Sequence, residues 1–197
     1  MSDKLIIGLS GYARSGKDTA AQALADRGWR RAGFADKLRE FLLALDPLLP
    51  ALHGGEPFRL RRYVEAWGWE RAKDEHPEVR ALLQRAGTEA GRKILGANIW
   101  VNALFAEHSD ASALVIPDVR FPNEAQGIAD RGGMVIRVER PGIAPKANKY
   151  GVVHDSEIAL DGWAFDHVLF NDGSAYDLRL KLRGVADLVE TKLHTTV

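Results

Sequence analysis

A chain of 197 residues, 46% hydrophobic and 27% charged, carries enough apolar side chain for one core and none of the bias of disordered or fibrous proteins, so about one soluble globular domain is expected. Lys plus Arg and Asp plus Glu both number 27, which excludes a global field that would draw the molecule onto nucleic acid or an anionic membrane, so any polyanion must meet a local site. The absence of cysteine excludes disulfides, thiolate metal sites and cysteine nucleophiles.

Residues 4–10, KLIIGLS, form a β-branched run too short for a helix, which predicts a buried strand, the central one of a sheet. Residues 11–16 are a glycine-bounded loop, and 17–27 place Ala and Leu at helical spacing up to a stop at Gly28. A short strand is expected over 29–34 and a helix over 35–45, ended by Pro47 and Pro50. From 58 to 107 helices are read almost without interruption, with breaks near Gly68, His76-Pro77 and Gly96 and no strand. Strand 113–117, helix 123–130 and strand 134–138 restore a β-α-β alternation with crossovers suited to parallel pairing. Residues 141–155 read as a lid-like loop, 168–170 as a last strand, and Ser174 as the N-cap of a final helix towards Val189. The expected fold is α/β: a three-layer, doubly wound parallel sheet of about five strands, helices on both faces, and a helical insert over about 56–108 within a single domain. The longest apolar runs, such as 41–45, are too short to span a bilayer, and the start Met1-Ser-Asp-Lys has no signal-peptide layout, so a cytoplasmic location is expected.

Gly11-Tyr-Ala-Arg-Ser-Gly16-Lys17 matches G-x-x-x-x-G-K, in which backbone amides curl round a phosphate and the lysine reaches its oxygens. The segment follows a strand and opens a helix, whose N-terminal dipole favours an anion. Asp18 stands where Ser or Thr usually holds Mg²⁺, with Thr19 one place later, so either can serve a metal. Asp118 closes the apolar run LVIP at the C-terminal edge of the sheet, where it can orient Mg²⁺ or a phosphate-binding arginine such as Arg120, or simply brace its loop against that arginine. Between Arg59 and Lys93 seven Arg and two Lys face six acids, a local cationic excess suited to a second anion or to a solvated face of ion pairs. Within it Gln84, Arg85, Thr88 and Arg92 recur at spacings of three and four, and Gly87 and Gly91 imply close approach of a ligand or another helix. Trp100, between Asn98 and Asn102, is open to a core role or to base stacking.

The ordered set GYARSGKDT, LLQRAGTEAGR with NIWV, VIPDVRFPNEA, VERPG, HDSE and LFNDGS resembles the bacteriophage deoxynucleoside monophosphate kinases of the P-loop kinase superfamily over nearly the whole chain. The resemblance implies transfer of the ATP γ-phosphoryl to a deoxynucleoside monophosphate, with ATP as co-substrate and Mg²⁺ as cofactor. It places ATP on Gly11, Ala13, Ser15, Gly16 and Lys17, with Asp18 and Thr19, with Asn171 and Gly173 towards the adenine, and with Arg140 among the arginines that clamp the transferred phosphoryl. Gln84, Arg85, Thr88 and Arg92 are placed round the acceptor, where Asp36, Lys37 and Trp100 are counted too. Arg14, Lys17, Arg85, Asp118 and Arg120 are the catalytic candidates, with Asp18, Thr19 and Asp118 for the metal. His154, Ser156 and Glu157 belong to the HDSE stretch with no derivable role, and Lys146 and Lys149 stand where related kinases carry lid arginines. The implied partners are small molecules, with no nucleic acid or membrane, a homodimer remaining admissible, and the host cytoplasm as location if the chain is viral. The rival readings are another small P-loop kinase, such as a dephospho-coenzyme A kinase, and a nucleotide-binding regulator without chemistry.

Overall fold

Short, mostly aliphatic runs set the main strands of the sheet. In the computed structural model, which describes residues 4–52, 54–145, 153 and 155–195, β1 (Leu5–Ser10) leads into α1 (Lys17–Ala25), β2 (Arg30–Arg31) and α2 (Phe34–Leu45). After a pair of two-residue strands, β3 (Leu48–Leu49) and β4 (Phe58–Arg59), come α3 (Leu60–Glu75), α4 (Pro77–Gln84), a π-helical stretch Arg85–Leu95 and α5 (Ile99–Glu107). The chain then runs through β5 (Ala113–Ile116), α6 (Pro122–Ala129), β6 (Met134–Glu139), α7 (Asp155–Ile158), β7 (His167–Phe170) and α8 (Ala175–Thr195). It divides into two compact units, Met1–Phe34 with Phe105–Val197, and Ala35–Leu104.

In the first unit five parallel strands form a sheet in the order β2-β5-β1-β6-β7, with β1 at its centre as the sequence leads one to expect. Ile7 and Leu9 of β1 pack with Val115, Ile136 and Val138 under Leu24 of α1 and Leu178 and Leu182 of α8. Ile6, of opposite parity, faces Ile128 of α6 across the chain at Gly133, which makes this an α/β sheet covered on both faces. Each of these fully buried aliphatic side chains contributes about 1.5–3 kcal/mol. α8 starts where expected: the Asp177 amide donates to Ser174 Oγ at 3.2 Å.

The second unit has its own core, in which Leu38, Leu42, Leu49, Leu60, Val64, Ala72, Val79 and Trp100 are buried together. Contrary to the strand-free expectation for 58–107, Phe58 and Arg59 pair antiparallel with Leu49 and Leu48. Two residues are too few for alternation to show in a sequence. The buried His76 ties this corner together, its Nε2 lying 3.0 Å from the Pro50 carbonyl and its ring edge-on to Phe58 and Tyr63. The break expected near Gly68 is a kink with φ 74° and ψ 161°, and the break near Gly96 also has positive φ. What the sequence does not announce is the π-helix, which continues α4 directly. Gly87 and Gly91 mark close packing: a Cβ on Gly91 would stand 2.7 Å from Trp100 Cζ2, and one on Gly87 2.8 Å from Leu38.

Candidate active site

The loop between β1 and α1 is shaped by backbone angles that few side chains tolerate. Gly11 has φ 137° and Gly16 φ 107°, and Arg14 between them is also left-handed at 66°. A Cβ on Gly11 would meet the Val138 carbonyl at 2.3 Å, and one on Gly16 the Asn171 amide at 2.6 Å. Asn171, just past the end of β7, donates through Nδ2 to the Ser15 carbonyl at 2.8 Å, so the end of the edge strand pins the loop. Ser15 is buried, Ala13 and Thr19 are partly buried, and Arg14 and Asp18 are exposed. Lys17 is buried, and its Nζ donates to the carbonyls of Gly11 at 2.6 Å and Tyr12 at 2.8 Å. Burial, reinforced by the Arg120 cation, pushes its pKa down to about 8, against the pull of Asp18, Glu157 and Asp118.

The neighbouring strand β5 ends in the second part of the site. Asp118 Oδ1 accepts the Phe34 amide at 2.9 Å. The Arg120 and Phe121 amides both donate to Glu124 Oε2, at 2.7 and 3.1 Å, and Glu124 is buried in the first turn of α6. Arg120 Nη1 then meets Glu157 Oε1 at 3.0 Å. Arg120, Glu157 and Ser156 line a small recess together with Ser10, Gly11 and Val119. On the other side of the loop a groove of about 270 Å³ is lined by Tyr12, Ser15, Arg137, Arg140, Pro141 and Phe170, among others. Here Arg137 is paired with Glu139 at 3.1 Å and Asp161 at 3.0 Å, and the Tyr12 hydroxyl is bonded to Asp161 at 3.0 Å. Burial and that bond to Asp161 raise the Tyr12 phenol above its ordinary range. Gly173 lies beyond Asn171, where a Cβ would stand 2.8 Å from Asp177.

The first unit thus brings together Gly11 to Thr19, Asp118, Arg120 and Asn171, with Arg140 at the groove. Glu124, Arg137, Asp161 and Glu157 are the residues that sequence reasoning left without a role; Asp161 lies 149 positions from Tyr12 and Glu157 37 from Arg120. His154, Lys146 and Lys149 lie outside the described residues. The second unit holds the rest. Asp36 pairs with Arg39 at 3.2 Å and Lys37 with Glu40 at 2.7 Å on α2. Gln84 and Arg85 are exposed, Arg85 pairing with Glu78, while Thr88 and Arg92 are partly buried on the π-helical stretch. Trp100 is buried and donates its indole N–H to the Gly87 carbonyl at 2.9 Å.

Among the described residues no three acidic or histidine side chains converge on one point. Asp18 is exposed and pairs with Arg31, and Asp118 holds the Phe34 amide through Oδ1; carboxylates and a hydroxyl of this kind, the last from Thr19, fit the chemistry of Mg²⁺, which is usually held by one or two carboxylates together with substrate phosphates and water rather than by a protein cage. Among the described residues no helix is long and apolar enough to cross a membrane.

Comparison with known proteins adds independent findings. The sequence pattern of a family described as "Deoxynucleotide monophosphate kinase" matches residues 63–182. A candidate deoxynucleotide monophosphate kinase of Acanthamoeba polyphaga mimivirus is 30% identical, covering 85% of this chain and 89% of its own. The deoxynucleoside-5'-monophosphate kinase of Escherichia phage T5 is 25% identical over 93% of this chain and 96% of its own. Of solved structures, a Thermus thermophilus protein is 24% identical with a TM-score of 0.46, covering 95% and 97% of the two chains. Dephospho-CoA kinase from Campylobacter jejuni is 17% identical with a TM-score of 0.46, covering 98% and 99%.

Proposed function

This chain belongs to the deoxynucleotide monophosphate kinase family, and we propose that it transfers the γ-phosphoryl of ATP to a deoxynucleoside 5'-monophosphate, forming the diphosphate and ADP. The observation that carries the reading is the left-handed loop from Gly11 to Gly16 closing on the buried Lys17, beside the strand end that bears Asp118 and Arg120. Amides of such a loop, at the start of α1, bind phosphate oxygens, and the lysine supplies a positive charge to them.

The acceptor needs no general base. A nucleoside monophosphate has a second pKa near about 6, so its attacking oxygen is already ionised at neutral pH. The task left to the protein is to hold two polyanions against their repulsion and to stabilise charge that spreads over the transferred group. Lys17, Arg14, Arg120 and Arg140 serve the donor and the transferred phosphoryl, and Asn171 the nucleoside end of ATP. Gln84, Arg85, Thr88 and Arg92 hold the acceptor, with Asp36 and Lys37 beside them. Asp18, Thr19 and Asp118 would hold Mg²⁺, which when bound neutralises charge on the β- and γ-phosphates.

A coupled ADP-release assay over deoxynucleoside monophosphates, ribonucleoside monophosphates and dephospho-coenzyme A tests the reading. Turnover is expected with at least one deoxynucleoside monophosphate and is expected to be abolished in Lys17→Ala with the fold retained. Turnover of dephospho-coenzyme A alone would overturn the acceptor assignment, and near-normal turnover by Lys17→Ala would remove ATP from the loop.

A further inference from the structure

The HDSE stretch is a sequence motif that the proposed phosphate and acceptor contacts leave unused, and the structure brings its last residue to the phosphate loop. Glu157 lies on the single-turn helix α7, anchored by the buried Leu160 one turn on. Its side chain is 14% exposed, whereas that of its partner Arg120, 3.0 Å away, is 44% exposed. The pair borders the recess that also has Gly11 and Ser10 on its wall. A carboxylate at this place repels phosphate, so its contribution is made through the arginine. The Arg120 backbone is already fixed by the buried Glu124, yet its side chain retains several rotatable bonds. An ion pair through Nη1 removes much of that freedom, and the guanidinium has further N–H groups to offer a phosphoryl oxygen.

We propose that Glu157 is a positioning residue that holds the Arg120 guanidinium at the recess beside the phosphate loop, aimed at the phosphoryl group in transfer. This rests on the functional reading above. The same carboxylate also acts on Lys17, favouring its protonated form.

Two readouts test the assignment. The first needs no turnover: in the nucleotide-free chain the side-chain ¹⁵N signals of Arg120, assigned by their loss in Arg120→Lys, are expected to show slow Nε–Cζ rotation. In Glu157→Ala that rotation becomes fast. The second is kinetic. Glu157→Ala is expected to lower kcat by about 100-fold with the KM for ATP within about twofold, a misplaced catalytic group being costly in rate rather than in ground-state binding. Glu157→Gln, whose amide oxygen still accepts from Nη1, is expected to recover kcat to within about fivefold of wild type. In an Arg120→Ala background, Glu157→Ala is expected to change kcat by less than about twofold. Unchanged rotation, full kcat in Glu157→Ala, or additive losses in the double variant would each overturn the proposal. A wild-type chain that turns over no deoxynucleoside monophosphate overturns the functional reading alone, and the ¹⁵N spectrum then still decides whether Glu157 holds Arg120.

Discussion

Lys17 carries two roles that pull against each other. With pKa lowered to about 8 from 10.5 by burial, it gives up in the folded chain, between those two values, a proton that the unfolded chain keeps. Stability from this group therefore rises with pH across that window, and the full penalty for the buried charge, about 3 kcal/mol at most, is present below pH 8. A bound polyphosphate supplies the missing negative charge, so ATP binding takes up a proton at alkaline pH. The affinity for ATP is expected to weaken as pH rises through about 8, approaching tenfold per unit beyond it. Calorimetric titration from about pH 7 to 9.5 checks this, with Lys17→Met expected to give a flat profile; a flat profile in wild type would show that Lys17 stays charged throughout. The glycines and the lysine of this loop are legible in the sequence because the chemistry is local, seven successive residues with one purpose. Glu157 is not, since nothing at position 157 signals a partner 37 residues earlier, and Asp161 bracing Tyr12 is hidden for the same reason. Asp118 stands between these cases: its place at the end of an apolar run is readable, but its bond to the Phe34 amide is not.

At the scale of elements, the strands and helices of the first unit follow from patterns long enough to register, whereas the second unit departs from its expected regularity in the π-helix. Residues four apart remain stacked in either kind of turn, so Gln84, Thr88 and Arg92 keep one row, and Gly87 and Gly91 another, and the spacing cannot distinguish the two. The second row packs on Leu38 and Trp100, which ties the wide turn to tertiary contact rather than to helix propensity. Gly91→Ala is expected to destabilise the protein by about 1–3 kcal/mol, because its Cβ would meet both Trp100 and the Ala86 carbonyl. Gly184→Ala in α8, where a Cβ meets nothing within 4 Å, is expected to stabilise by about 0.5–1 kcal/mol. Thermal unfolding of the two variants beside wild type decides; equal shifts would mean that the close approach at Gly91 is easily relieved. If the row of polar residues serves the acceptor, Gly91→Ala also raises the KM for the deoxynucleoside monophosphate.

For the molecule as a whole, the two units each bury their own set of aliphatic side chains, and local openings should respect that division. Leu60 is fully buried in the second unit, and Leu60→Ala is expected to cost about 2–5 kcal/mol. Amide hydrogen exchange should then quicken across residues 35–104 while β1, β5 and β6 keep their protection; loss of protection throughout would show that the chain opens as one cooperative block. Zero net charge, by contrast, is a statement about the exterior that says nothing of these interiors, and the fields that matter are confined to a few cations.

The connectivity of the sheet has one more effect. The chain leaving β1 turns to α1, on the side of Ile7 and Leu9, while the chain leaving β5 turns to α6, on the side of Ile6. Two adjacent strands therefore hand their chains to opposite sides, like pages parting from a spine. The hollow walled by Gly11, Val119 and Arg120 sits at that parting, so its two sides come from separate connections of the chain.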